Sequence, residues 1–245
     1  MDKDTFYTFI KKLETNFLTA TFNQNYSAMQ IHYLSEKNSI LNHFLAEIRE
    51  VNIHKDAMRF RRNIERIGEI MAYELSKELD YKTIDVQTPL GIKKTTQIAD
   101  SVVLCSILRA GLSMHLGFLN YFDQAENGFI SAYRYHPNND DYFEIKVEYQ
   151  AIADINDKCV LLIDPMLATG QSIVAVYNRL MERGIPRNMH IAVTIAAPEG
   201  IAYLEKHLPE NCHLWIGALD EKLNEHSYIV PGLGDAGDLA YGIKL

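Results

Sequence analysis

A chain of 245 residues that is 47% hydrophobic has ample material for a sizeable core and lies far from a disordered composition. Its formal net charge of -8 argues against broad electrostatic binding to nucleic acid or an anionic membrane, but leaves room for a local basic site that takes a polyphosphate. The three cysteines, Cys105, Cys159 and Cys212, are odd in number and widely spaced. They read as buried free thiols suited to a reducing cytosol rather than as disulfides or a zinc site. No apolar stretch is long enough to span a bilayer. Lys3, Asp4, Lys11, Lys12 and Glu14 make the N-terminus unlike a signal peptide.

Phe6, Phe9, Ile10, Leu13, Phe17 and Leu18 recur at helical spacing and predict an N-terminal amphipathic helix, packed on the body or on a second subunit. A second helix is expected over about Asn38 to Arg49. A long one should run from about Asp56 to Leu79, burying Phe60, Ile64, Ile67, Met71, Leu75 and Leu79. Its cluster Arg59, Arg61, Arg62 and Arg66 reads as a solvated face, with a phosphate contact as the lesser reading. After a turn at Pro89-Leu90-Gly91 the chain alternates. Strands are expected at Val102 to Leu108, Phe129 to Tyr133, Phe143 to Ile152, Val160 to Ile163, Ile191 to Ala196 and Leu214 to Leu219. Helices are expected from about Leu112, over Ile173 to Arg183, and after Pro198. That alternation implies right-handed βαβ crossovers and a mostly parallel sheet flanked by helices, in one α/β domain with appended ends.

Three segments carry chemistry. The first is Cys159 to Ile173, CVLLIDPMLATGQSI, a buried strand, an acid at its carboxyl end (Asp164), a small-residue turn and a helix start. Ligands of open α/β sheets bind at such strand ends, and a helix N-terminus favours an anion. Gly170 permits close approach of the backbone, and Thr169 and Ser172 can donate to phosphate oxygens. On spacing alone, a capping role for those hydroxyls competes with phosphate binding. The turn is neither a Walker A loop nor a dinucleotide fingerprint. The second segment, Ser106 to Gly111, repeats the layout and puts Arg109 where it would hold a phosphate or pyrophosphate. Arg134, after the strand Phe129 to Tyr133, would add a second cation at the same edge. The third, Tyr228 to Gly237, sets Gly232, Gly234 and Gly237 around Asp235, a backbone edge able to read a flat base. The nine histidines show no metal-ligand spacing. His190, His226 and Trp215 read as structural, and Ser106 and Ser113 lack the setting of a hydrolase nucleophile.

Taken together, the strings ILRAGL (107–112), AYR (132–134), DPMLATGQS (164–172), AAPEGI (196–201) and LNEHSYIVPGLGDAGD (223–238) resemble the uracil phosphoribosyltransferases, with a weaker match at Arg59-Phe60-Arg61. The resemblance runs from about Ile31 to the C-terminus and leaves residues 1–30 as an N-terminal helical extension. It implies a type I phosphoribosyltransferase fold with a C-terminal base-binding hood and an extra β-hairpin arm. It also implies conversion of uracil and 5-phospho-α-D-ribose 1-diphosphate (PRPP) to UMP and diphosphate in cytoplasmic pyrimidine salvage.

The same resemblance implies Mg2+ held mainly through PRPP and water with no firm protein ligand, a homodimer or homotetramer, and room for GTP binding. Carried over by position, Arg109, Asp164 and Asp235 would be catalytic. PRPP would be bound by Arg109, Arg134, Asp164, Pro165, Met166, Leu167, Ala168, Thr169, Gly170, Gln171, Ser172 and Asp235. Uracil would be read by Ile229, Gly234, Asp235 and Ala236, mainly through the backbone. The chain departs from the family pattern at Gln171, where a second glycine is usual and a longer side chain would crowd the phosphate. It departs again at Ser113 to Leu116, in place of Gly-x-x-Asp, and at Leu239, in place of a basic residue. The competing readings are a divergent paralogue with weak activity, or a regulatory protein that senses nucleotide on the same fold. The acidic balance weighs against an RNA-binding version of the latter, and the intact PGLGDAG loop weighs against lost base binding.

Overall fold

The computed structural model describes residues 29–135 and 144–244, with the backbone alone for Arg134, Tyr135 and Glu144. The expected N-terminal helix lies outside these residues. The strands are β1 (Gln30–Tyr33), β2 (Tyr81–Thr88), β3 (Gly91–Ile98), β4 (Val102–Leu108), β5 (Glu126–Tyr135), β6 (Glu144–Ala151), β7 (Cys159–Ile163), β8 (Met166–Leu167), β9 (Asn188–Ala196), β10 (Cys212–Leu219), β11 (Lys222–Leu223) and β12 (Ile229–Val230). The α-helices are α1 (Ile40–Arg49), α2 (Ala57–Ser76), α3 (Leu112–Leu119), α4 (Gln171–Met181), α5 (Pro198–His207) and α6 (Ala236–Tyr241).

The central sheet runs β1-β10-β9-β7-β4-β5-β6, with β8 paired to β9 off that path. Every neighbouring pair is parallel except β5 with β6, which closes one edge antiparallel. Parallel strands need crossovers, and α3, α4 and α5 supply them between β4 and β5, β7 and β9, and β9 and β10. The apolar runs of β4, β7, β9 and β10 are continuous because both faces of the sheet are covered. Leu104, Leu161, Ile163, Ala192 and Trp215 pack under α1, α2 and α3. Val103, Val160, Leu162, Ile191, Val193 and Leu214 point the other way, under α4 and α5. Helix starts are fixed locally. Ser39 accepts from Leu41 N at the start of α1, Asp56 accepts from Met58 and Arg59 N at the start of α2, and Pro198 opens α5.

Strands β2 and β3 form a separate two-stranded antiparallel hairpin turning at the expected Pro89-Leu90-Gly91, the extra arm of the fold. The three cysteines are free and buried, and burial pushes each thiol up to about 12, which leaves them inert. Trp215 donates from Nε1 to His190 Nδ1 at 3.1 Å and stacks on His32, so both Trp215 and His190 serve packing. Among the described residues no helix is long and apolar enough to cross a membrane.

The arginine cluster of α2 does more than face solvent. Arg59 bonds Glu47 on α1 and, with Asn63, holds that carboxyl down at about 2. Arg61 donates from Nη1 to the Ala240 carbonyl at 2.6 Å, tying α2 to α6. Arg62 pairs with Glu65 on its own helix.

The Ser113–Leu116 departure also acquires a structure. Asn127 donates from Nδ2 to Ala125 O, so its Oδ1 accepts from His115 Nε2 at 2.7 Å, leaving His115 Nδ1 to accept from Ser106 Oγ at 2.7 Å. Burial lowers the His115 pKa, consistent with that neutral imidazole. The Ser-His-Asn chain runs opposite to a hydrolase triad, in which the serine bonds Nε2 and the acid Nδ1, and Ser106 is fully buried in the core, where it fastens α3 to β4 and β5. Ser113 Oγ meets Tyr241 OH at 2.6 Å, and Leu116 faces solvent.

Candidate active site

The carboxyl ends of β4, β5, β7 and β9 open on one side of the sheet, under α6 and the β11–β12 hairpin. A cavity of about 840 Å³ lies there. One wall is the Asp164–Ile173 segment. After β7 the chain passes Asp164, pairs briefly with β9 through β8, and turns at Gly170 into α4. Gly170 caps that helix with φ 79°, a left-handed conformation that costs a side chain, and an added Cβ would stand 3.0 Å from Gly200 O and 3.1 Å from the Tyr203 ring. The first-turn N–H groups of α4 therefore face the cavity without intrahelical acceptors. The contact from Gln171 N to Thr169 Oγ1 is long, 3.5 Å, so the Thr169 hydroxyl is not committed to capping.

Arg109 enters from the end of β4, beside β7, just after a cis Leu108–Arg109 peptide. Its Nη2 meets Asp238 at 3.2 Å and the Gly242 carbonyl at 3.0 Å, while its buried Nε has no partner among the described residues. Among the described residues Asp164 takes a single long contact, from Met166 N at 3.4 Å. Burial pushes its carboxyl up to about 7, partly opposed by that N–H and reinforced by the charge of Asp235 across the cavity. Asp235 caps α6, accepting from Asp238 N at 3.0 Å. A donor with an N–H unused among the described residues, the carboxyl groups of Asp164 and Asp235, and a helix N-terminus thus share one cleft.

The opposite wall is the hood, where Ser227, Tyr228, Ile229, Gly234, Ala236 and Gly237 line the cavity. The β11–β12 hairpin pairs Leu223 with Ile229 and Lys222 with Val230, and Asn224 closes its tip by accepting from the backbone N–H groups of His226 and Tyr228.

Of the residues expected from sequence, the cavity brings together Arg109, Asp164, Met166, Leu167, Ala168, Thr169, Gly170, Ser172, Ile229, Gly234, Asp235 and Ala236. Pro165 is not in its wall. It is buried, with its carbonyl accepting from Thr194 and Ile195 N, both at 3.1 Å. Nor is Gln171. It opens α4 between Gly170 and Ser172, which do line the cavity. Arg134 lies inside β5, opposite Ile145, rather than past a strand end, and its side chain is outside the description. Sequence reasoning missed Lys244, a second cation in the wall that no motif announced, and Ser131, whose hydroxyl accepts from Tyr149 N. It also gave no role to Gly200, where an added Cβ would lie 2.3 Å from Ala168 O; α5 presses on the phosphate turn only because that position is bare.

Residues 35–243 match the family model described as uracil phosphoribosyltransferase. A protein of that name from Porphyromonas gingivalis strain ATCC 33277 is 51% identical over 217 residues, 89% of this chain and 100% of the relative. One from Bacillus pumilus is 39% identical over 84% of this chain and 95% of its own length. Among solved structures, the AQ2163 protein from Aquifex aeolicus superposes with a TM-score of 0.78 at 29% identity, covering 88% of this chain and 100% of that one. With the match extending through both walls of the cleft, the chain belongs to the uracil phosphoribosyltransferase family.

Proposed function

We propose that the cleft transfers the 5-phosphoribosyl group of PRPP to uracil, giving UMP and diphosphate. The observation that carries this reading is the convergence of Arg109, Asp164, the N-terminus of α4 and the hood on one cavity of a size suited to two small substrates. The bond between ribose C1 and the pyrophosphate oxygen breaks with its electron pair leaving on pyrophosphate. Uracil N1 then bonds to C1 and releases its proton. No protein nucleophile is required. The work is positioning, with stabilisation of the departing charge.

The 5-phosphate would sit on the turn from Ala168 to Ser172, taking the backbone N–H of Gln171 rather than its side chain. Asp164 would hold the ribose hydroxyls. Arg109, whose Nε lacks a partner among the described residues, would grip pyrophosphate together with Lys244, with Arg134 of β5 as a further PRPP contact by family resemblance. Ile229, Gly234 and Ala236 would read uracil through their backbone. The acidic pair Asp164 and Asp235 suits Mg2+ brought in with PRPP, and among the described residues no group of three or more ligands could hold a metal alone. Mg2+ would supply charge neutralisation on pyrophosphate. The buried, unpaired cysteines favour a cytoplasmic setting, and a dimer or tetramer of this chain fits the reading. The test is UMP formation from uracil, PRPP and Mg2+, against a panel of cytosine and purine bases. Uracil-dependent diphosphate release is expected, and turnover with another base alone would refute the reading.

A further inference from the structure

We propose that Arg49 is a positioning residue for base recognition, acting through Asp220 on the turn that carries the base-reading backbone; this rests on the reading of the hood as the uracil site. Arg49 ends α1, well away in sequence from every cavity segment. Its Nη2 donates to Asp220 Oδ1 at 2.6 Å and its Nη1 to Asp220 Oδ2 at 2.8 Å, a bidentate pair. Nη1 also donates to the Gly232 carbonyl at 3.0 Å, while Gly232 N donates to Asp220 Oδ2 at 3.0 Å. Both main-chain polar groups of Gly232 are thereby fixed by one ion pair. The Asp220 side chain is 5% exposed and that of Arg49 23%, so water competes poorly with either partner.

The clamp bears directly on the reading edge. Gly232 has φ 61°, and an added Cβ would fall 2.1 Å from the Ile229 carbonyl, so the turn from Ile229 to Gly232 folds tightly back on itself. Moving Gly232 moves Ile229 on one side and Gly234 on the other, both of which line the cavity. Asp220 is itself anchored to the sheet, donating from its backbone N to Ala196 O at 2.8 Å beside the end of β9. The clamp therefore references the base edge to the strand ends that hold the phosphate half. None of its side chains lines the cavity, so it acts on uracil only through the turn.

The test is steady-state kinetics of Arg49→Lys, Arg49→Met and Asp220→Asn, with melting followed for each. Lysine keeps the charge but not the two-pronged geometry. The expected result is a KM for uracil raised on the order of 10- to 100-fold, with the KM for PRPP unchanged, because a displacement of about 1 Å in a positioning element has that effect. Arg49→Lys should recover little of it, and Arg49→Met with Asp220→Asn should do no more damage than either alone. If Arg49→Met does not fold, the folded Arg49→Lys enzyme decides the matter. An unchanged uracil KM in that enzyme, or equal losses for both substrates, overturns the clamp. Wild-type protein that makes no UMP overturns the activity itself, so the two failures are distinguishable.

Discussion

Replacing Asp164 by Asn should stabilise the protein while disabling it. The Asp164 carboxyl is raised from 3.8 to about 7, chiefly by burial, so the ionised form is disfavoured in the folded chain. A shift of about three units at ~1.4 kcal/mol each sets a ceiling of about 4 kcal/mol. Asp164 lines a cavity open to water, so screening reduces the figure to about 1–2 kcal/mol. The sign follows from linkage. The unfolded chain ionises Asp164 above pH 3.8 and the folded chain above about 7, so the penalty is absent below 3.8, grows between the two values and is complete above about 7. Asparagine removes the penalty and retains an oxygen for Met166 N. The variant should melt about 2–8 °C higher than wild type at alkaline pH, the gap closing as pH falls toward 4. Its turnover should drop on the order of 10²–10³-fold, since the ribose loses an ionised acceptor. Calorimetry of both proteins across that pH range is the assay. A variant less stable than wild type above neutrality, or a gap indifferent to pH, would refute the argument.

Two other substitutions probe the same cleft. Arg109→Ala should lower kcat/KM on the order of 10²–10³-fold. It should barely shift melting, because the Arg109–Asp238 pair is 38% and 32% exposed and such pairs contribute at most about 1 kcal/mol; near-wild-type kinetics would remove Arg109 from the mechanism. Gly200→Ala drives a methyl to 2.3 Å from Ala168 O and 2.9 Å from Leu167 Cγ, so it should cost about 1–3 kcal/mol and raise the KM for PRPP but not for uracil. A variant with wild-type melting and wild-type KM for PRPP would show that α5 does not set the turn.

The sheet was legible in the sequence where both of its faces are covered. In β4, β7, β9 and β10 burial writes an unbroken apolar run, and those strands fall within two or three residues of expectation. The strands of the β2–β3 arm left no such pattern, because the arm is exposed along nearly its whole length and residues such as Lys93, Lys94, Thr95 and Thr96 carry no alternation, so only its turn and the family resemblance announced it. Helix α6 has six residues, too few to establish a period, and β8, β11 and β12 have two each. At the site, residues that touch ligand through special backbone (Gly170, Gly234) or strand-end charge (Arg109, Asp164) announce themselves by type and position. The clamp of Arg49 on Asp220 spans 171 residues and joins two ordinary charged residues, so no local pattern reveals it.

The two walls of the cleft are assembled from different materials. The phosphate wall is woven into the sheet by main-chain bonds: Met166 and Leu167 pair with Ile195 and Ala196, Pro165 O accepts two N–H groups, and Ala197 N reaches Leu167 O. Side chains anchor the hood: Arg49 on Gly232, Arg61 on Ala240, Arg109 on Gly242 and Glu199 on Leu223 N. Main-chain weaving is indifferent to most substitutions, whereas side-chain anchors can be exchanged singly. The choice of base is thus the portable half of this protein. Recasting the base-reading stretch from Ile229 to Gly234 would retarget the nucleobase, with Arg109 and Asp235, which also serve PRPP, kept as they are.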